Sequence, residues 1–174
     1  MKSLSAALAA LSLAFAAAGA QAAPVSLSFS DNTIQSDGND ADAFNDTFNF
    51  ALSGQTLLSA LITTHTPEAA NPWVDITSAF LKSVATGQIV QLTETQAVDW
   101  DADQSGVETW ALASQWLAAG NWELHVAGEG WGTKALEGFT AELTGTSAEL
   151  PEPAALALVA VALAGLSLSR RRSV

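Results

Sequence analysis

An alternation of apolar and polar residues recurs along this 174-residue chain and constrains its fold more than any other feature. Successive side chains of a β-strand point to opposite faces, so a period of two predicts a strand with one buried face. The clearest runs lie at 25–29, 122–126 and 139–143, and shorter ones lie at 57–64, 74–81 and 88–93. Several short strands at this spacing predict an all-β fold, an antiparallel β-sandwich.

Residues 108–119 fit two kinds of element. One alternative is a helix, because Trp110, Ala113, Trp116 and Leu117 fit one helix face and Gly120 follows as a helix stop. The other alternative is a strand. We predict a strand here.

The first 22 residues have the features of a secretory signal peptide. Lys2 supplies a positive charge, residues 4–18 are apolar, and Ala20-Gln21-Ala22 is a small-x-small cleavage site. We expect cleavage after Ala22. We therefore expect an N-terminal signal-peptide helix that directs export and takes no part in the mature fold.

The other end of the chain carries three features in a fixed order. Pro151-Glu152-Pro153 comes first, residues 154–169 are uncharged, and Arg170-Arg171-Arg172 follows. A helix over these 16 apolar residues would be ~24 Å long, against ~30 Å for the hydrocarbon core of a bilayer. We predict a short apolar transmembrane helix whose arginines stay cytoplasmic. An ordinary C-terminal anchor helix preceded by chain-breaking prolines is the alternative.

This tail resembles the PEP-CTERM sorting signal of Gram-negative bacteria over residues 150–172. The resemblance implies recognition and cleavage near the Pro-Glu-Pro motif by an exosortase, often in organisms that export polysaccharide. It also implies export across the inner membrane, transient anchoring, and a final place in the cell envelope or outside the cell. The chain then divides into a signal peptide (1–22), an exported β-sandwich (23–149) and a sorting segment (150–174).

Charge excludes one class of partner. Seventeen of the 18 acidic residues but only two of the six basic residues lie in the exported body, which gives it a formal charge of −15. A nucleic acid needs a basic footprint, so it is excluded as a partner. The chain contains no cysteine, which rules out both a disulfide framework and a thiol nucleophile.

The segment Phe44-Asn45-Asp46-Thr47-Phe48 is the most distinctive internal motif. With a period of two, Asp46 falls on the same face as Phe44 and Phe48. The spelling resembles the FxDxF family of PEP-CTERM proteins, small exported domains without an assigned activity. Residues 117–128 are similar to that family's closing strand. A carboxylate on an aromatic face needs hydrogen-bond partners, and a calcium ion is the alternative partner for Asp46.

A second acidic segment raises the question of a metal. Asp99, Asp101 and Asp103 alternate before a glycine, a local resemblance to calcium-binding loops, since calcium takes several oxygen ligands. Gln104 and Trp110 stand where such a loop has a glycine and a bidentate glutamate. A solvated acidic loop is therefore the alternative to a calcium site, and no other cofactor is predicted.

Few residues suggest catalysis. His65 and His125 are the only histidines, and no nucleophile or metalloprotease motif frames either of them. We predict that both are surface residues, with His125 on the polar face of its strand and His65 in a connection. We also predict that no residue is catalytic and that the protein is not an enzyme. The leading expectation is a structural or adhesive domain whose partner is the exosortase. All six tryptophans lie in the exported body. They favour a carbohydrate-binding or carbohydrate-processing module as the alternative, with extracellular polysaccharide as the partner.

Overall fold

The computed structural model describes residues 22–34, 41–65, 74–98, 107–131 and 138–148, together with helical residues 159, 161–163 and 165. The strands within these ranges are β1 (Ala23–Asp31), β2 (Asp42–Leu52), β3 (Gln55–His65), β4 (Val74–Ser83), β5 (Ile89–Gln91), β6 (Thr93–Gln96), β7 (Thr109–Leu117), β8 (Gly120–Gly130) and β9 (Gly138–Ala148). They make up one compact unit, Pro24–Ser147.

The strands form two sheets, in which the pairs β2–β8, β4–β8, β4–β5, β3–β7 and β6–β7 are antiparallel. The first sheet has the order β1-β9-β3-β7-β6, and the second has the order β2-β8-β4-β5. The chain passes from the second sheet to the first at Leu92, which is buried and donates its N–H to the Ala79 carbonyl at 3.0 Å. The prediction of an all-β fold with antiparallel sheets is confirmed.

The alternation in the sequence corresponds to the inner and outer faces of the strands. In β8, Trp122, Leu124 and Val126 are buried, while the residues between them are partly exposed. The predicted strand at 122–126 is longer in the structure and reaches Gly130, because β2 and β4 pair with β8 on both sides. Burying each large apolar side chain contributes roughly 1.5–3 kcal/mol. The segment at 108–119 is also a strand, β7, as predicted.

Five phenylalanines fill one side of the sandwich, where edge strands β1 and β2 belong to opposite sheets. Phe29 stacks on Phe48 with ring centroids 5.2 Å apart, and Phe44 stacks on Phe139 at 6.0 Å. Phe50 completes the cluster at 6.2 Å from Phe29. Aromatic pairs at this distance contribute about 0.5–1.5 kcal/mol beyond the area they bury. The motif phenylalanines therefore join the second sheet to the first.

Close packing at β8 requires a glycine at position 128. A Cβ there would overlap the Asp75 carbonyl oxygen and lie 2.8 Å from the Phe44 ring. Gly128 thus lets the ring of Phe44 lie directly against the backbone of β8.

The two helices predicted at the ends of the chain lie mostly outside the described residues. Among the described residues, no helix is long and apolar enough to cross a membrane, so the expected transmembrane helix is not found there. The described residues of the apolar tail are helical. The remainder of the tail and most of the signal peptide lie outside the described residues.

Candidate functional site

A buried carboxylate, Glu108, ties three strands together at one end of the sandwich. It immediately precedes β7, and its residue is fully buried. Its Oε2 accepts a hydrogen bond from the Ile76 N–H of β4 at 2.8 Å, and its Oε1 accepts one from Trp110 Nε1. Its own N–H donates to Thr64 Oγ1 at 2.8 Å, and its carbonyl accepts from the Thr64 N–H at 3.0 Å. Glu108 therefore connects β7 and β3 of the first sheet to β4 of the second.

The environment of Glu108 favours its neutral form. Burial raises its pKa to about 7, the bonds from Ile76 and Trp110 oppose that rise, and the charges of Asp75 and Glu94 add to it. Strand β4 carries a β-bulge just after Ile76, and bulges interrupt the regular ladder. Glu108 Oε2 thus provides a hydrogen-bond acceptor for β4 beside the position where the pairing of β4 with β8 is irregular.

Asp46 occupies the inner face predicted from the sequence, between Phe44 and Phe48 on β2. Its Oδ2 is buried and has no hydrogen-bond partner. Burial, the charge of Asp31 and a side-chain hydrogen bond with Asp31 together raise the pKa of Asp46 to about 6. Asp31 Oδ1 in turn accepts from the N–H and the hydroxyl of Thr33, at 2.7 and 2.6 Å. The motif aspartate is therefore half of a carboxyl pair that joins β2 to the end of β1.

The outer face of the second sheet carries a row of polar contacts around His125. Its Nε2 lies 2.9 Å from Glu123 Oε2, and its Nδ1 lies 3.1 Å from Thr47 Oγ1. The Phe80 ring stacks on the imidazole at 4.7 Å, and Lys82 Nζ lies 3.5 Å from Glu123 Oε2. The pKa of Glu123 is lowered, first by its hydrogen bond with His125. His125 lies on the polar face of its strand, as predicted.

Glu123, His125 and Thr47 contact one another in the order carboxylate, imidazole, hydroxyl. The same order occurs where a carboxylate orients a histidine base that activates a hydroxyl nucleophile. Such a group also needs N–H donors directed at the oxyanion that forms during the reaction. In the part of the chain that the structure describes, β8 pairs with β2 on one side and with β4 on the other, so its main-chain N–H groups are used by the ladders. The contacts around His125 also join β8 to β2 and β4, and such cross-strand side-chain pairs stabilise a sheet.

His65 is the last residue of β3 rather than part of a connection, so that placement in the prediction was wrong. It is half-buried, and its Nε2 lies 2.6 Å from Asn32 Oδ1. Burial lowers its pKa, which favours the neutral ring at physiological pH. His65 thus joins the end of β3 to the residues that follow β1.

Trp122 points into the core, whereas Trp116 points to solvent. Trp122 is in the core, where its Nε1 donates to the Ala118 carbonyl at 3.0 Å, as its phase predicts. Trp116 on β7 is 54% exposed. Trp131 is half-buried, while Trp73 and Trp100 lie outside the described residues.

Most of the remaining predicted site residues lie outside the described residues. Ala22 is exposed at the start of the described chain. Within the described ranges, no three or more His, Cys, Asp or Glu residues are grouped so that they could hold a metal ion. The predicted residues outside those ranges are Ala20, the calcium candidates Asp99, Asp101 and Asp103, and the sorting residues Pro151, Glu152, Pro153, Arg170, Arg171 and Arg172.

The burial of Glu108 was not predicted from the sequence, although the sequence pattern indicates it. With a period of two, Glu108 shares a face with Trp110 and Leu112, so a glutamate stands on the apolar phase of a strand. Charged residues are almost never fully buried unless they are paired. That position therefore indicated a buried carboxylate, but its partner Ile76 lies on another strand.

Comparison with known proteins identifies no family. No protein-family model and no curated protein matches the sequence. Among solved structures, the VP2 subviral particle of infectious bursal disease virus aligns over 78% of this chain and 43% of that chain, with 8% identity and a TM-score of 0.26. T=1 particles derived from the same virus align over 77% and 41%, with 8% identity and a TM-score of 0.22. The chain thus spans less than half the length of these capsid proteins, and a likeness this weak carries no argument about function.

Proposed function

We propose that this protein is an exported, non-enzymatic β-sandwich of the cell envelope or extracellular matrix, sorted and cleaved by an exosortase, with a structural or adhesive role. The observation that carries the proposal is the order of features after the last strand. Strand β9 ends at Ala148, and Pro151-Glu152-Pro153, the apolar run and the arginines follow within the next 24 residues. A folded domain followed directly by such a tail is what a sorting enzyme would release.

The buried acids support a structural role. Both carboxylate oxygens of Glu108 accept hydrogen bonds from the protein itself, and Asp46 lies among aromatic side chains that join the sheets. A catalytic carboxylate has to reach a substrate. Glu108 instead joins strands through its hydrogen bonds, and Asp46 faces the interior beside Asp31.

The sorting proposal is tested by changing Pro151, Glu152 and Pro153 together to alanine in the native host. We expect an uncut form that stays in the membrane fraction, because the processing enzyme no longer finds its motif. Mass spectrometry of the protein from membrane and medium measures the outcome. Glu149→Ala, just upstream of the motif, is the matched control and should be processed normally. Unchanged release and mass in the triple variant would reject sorting by this motif.

One observation favours a second candidate, a carbohydrate-binding or carbohydrate-processing module. Trp116 presents an indole to solvent on a strand, and indoles of this kind stack on sugar rings. Release of reducing ends from a polysaccharide by the purified protein would support processing. Binding without release would support a binding module.

A further inference from the structure

The outer face of the first sheet has a composition unlike the rest of the molecule. Residues of β3 and β7 that alternate with core positions point away from the sandwich, and three pairs of them lie directly opposite each other: Leu57 and Trp116, Leu61 and Ala111, Thr63 and Thr109. Hydroxyl groups of the neighbouring strands β6 and β9 extend the same surface through Thr95 and Thr144. We call this surface, together with Ser59, the hydroxyl face.

The hydroxyls of this face are held in place by one another. Thr95 Oγ1 lies 2.8 Å from Thr109 Oγ1, and Thr63 is the register partner of Thr109. Ser59 Oγ lies 3.1 Å from Thr144 Oγ1. Ser59 Oγ and Thr95 Oγ1 also donate to the carbonyls of Thr144 and Thr109, each at 3.2 Å. Each hydroxyl has two acceptor lone pairs, so these contacts still leave acceptor capacity for a ligand. Adjacent strands are ~4.8 Å apart, which brings hydroxyls of neighbouring strands close together.

Apolar side chains stand beside these hydroxyls. Trp116 is 54% exposed and Leu61 is 45% exposed. Because Trp116 is on a strand paired with β3, its position is fixed before a ligand arrives, which lowers the entropic cost of binding. Trp116 faces Leu57, two residues before Ser59, whereas Thr109 is seven residues away along β7. A ring for stacking and hydroxyls spread along the same face match the C–H faces and hydroxyl edges of successive sugars in a polymer.

Charge decides which class of polymer this surface fits. Lys82 is the one lysine among the described residues, and it lies on the second sheet against Glu123. On the hydroxyl face and its neighbouring outward positions, the described acid is Glu142 of β9. A polyanion would be repelled by a body with a formal charge of −15 and would find no cation on this face. A polycation would find little charge to pair with here.

We infer that the hydroxyl face is a binding surface for an uncharged polysaccharide, with Trp116 as the stacking residue and the paired Thr and Ser hydroxyls as its polar contacts. The inference rests on the proposed export, because the polymer is outside the cell. It also assigns the proposed adhesive role to the outer face of the first sheet. The Thr and Ser residues come from four different strands, so their proximity depends on the pairing of those strands.

The test is co-sedimentation of the full chain with insoluble polymers at physiological salt: cellulose and starch as uncharged glucans, chitosan as a polycation, and calcium-cross-linked alginate as a polyanion. We expect retention on at least one uncharged glucan and none on alginate. Trp116→Ala should weaken that binding by about tenfold or more, and Trp116→Phe by less, because a ring remains. Thr109→Val, which removes a hydroxyl but keeps the shape, should weaken it several-fold.

Ile89→Ala is the matched control. Ile89 is 53% exposed on the second sheet, so its removal reduces exposed apolar surface to a similar degree without touching the hydroxyl face. Binding should be unchanged in this variant. Urea midpoints equal to that of the parent chain will show that each variant is folded.

Three results would overturn the inference. They are no retention on any uncharged glucan, equal retention of the parent chain and Trp116→Ala, and a dimer in sedimentation velocity that Trp116→Ala dissociates. The third result would assign the hydroxyl face to contact between two copies. Because binding is measured on purified protein, its failure is independent of whether the Pro-Glu-Pro motif is processed in the host.

Discussion

Two carboxyl groups lie in the interior of this sandwich, and they are satisfied to different degrees. Glu108 is fully buried, and both of its oxygens accept hydrogen bonds. Asp46 keeps one buried oxygen without a partner and faces a second carboxyl, Asp31, across the two sheets. A buried acceptor with donors strengthens a structure, whereas one without donors weakens it. Glu108 should therefore stabilise the fold, and ionised Asp46 should oppose it.

The largest expected effect is the loss of the side chain of Glu108. Glu108→Ala leaves the Ile76 N–H and the Trp110 indole N–H without acceptors and opens a cavity between the sheets. Each orphaned donor costs about 1–3 kcal/mol, so we expect a loss of roughly 3–5 kcal/mol in the free energy of unfolding at pH 6. Urea denaturation followed by tryptophan fluorescence measures it.

An exposed acid provides the control for this substitution. Glu142→Ala removes a glutamate from the outside of β9 and should change the free energy of unfolding by less than about 0.5 kcal/mol. Equal effects of the two substitutions would show that Glu108 does not tie the sheets. Glu108→Gln keeps the volume and one acceptor, and it should fall between them.

Most of the strands followed from the sequence because a sandwich buries one face of each strand, and that face repeats every second residue. The predicted run at 88–93 is instead divided at Leu92 between β5 and β6, which belong to different sheets. Asp46 was placed correctly on its aromatic face for the same reason. Its partner Asp31 is on another strand in the other sheet, and Ile76, the partner of Glu108, is 32 residues away. Such contacts depend on how the sheets pack. Local periodicity contains no information about that, nor about which outward hydroxyls become neighbours.

The next prediction concerns the pH dependence of the free energy of unfolding, which distinguishes Glu108 and Asp46 from ordinary surface acids. The pKa of Glu108 is raised from 4.5 to about 7 in the folded state, so between these values the folded protein binds more protons than the unfolded chain. The contribution of Glu108 to stability is therefore fully present below about pH 4.5 and is lost as the pH rises to about 7. For Glu108 the loss between pH 5 and pH 8 is about 2–3 kcal/mol.

Urea unfolding at pH 5, 6, 7 and 8, at constant ionic strength, measures this dependence. Glu108→Gln should remove most of the slope, because an amide does not titrate in this range. A slope that persists in full in Glu108→Gln would assign it to other acids. Stability that rises with pH would contradict the direction given for both buried carboxyls.

The smallest effect tests Asp46 directly. At pH 8, above its pKa of about 6, the ionised carboxylate is partly buried beside the charge of Asp31. Asp46→Asn removes that charge and can donate its amide to Asp31, so the variant should be more stable than the parent chain. Because Asp46 is only partly buried, solvent screens much of the repulsion, and we expect a gain of about 1 kcal/mol. At pH 5 the parent carboxyl is already protonated, and the gain should shrink toward zero. Glu142→Gln removes an equal charge from the surface and controls for the lower net charge of the protein. A gain that is the same at both pH values, or that Glu142→Gln reproduces, would assign the effect to net charge and leave Asp46 without a destabilising role.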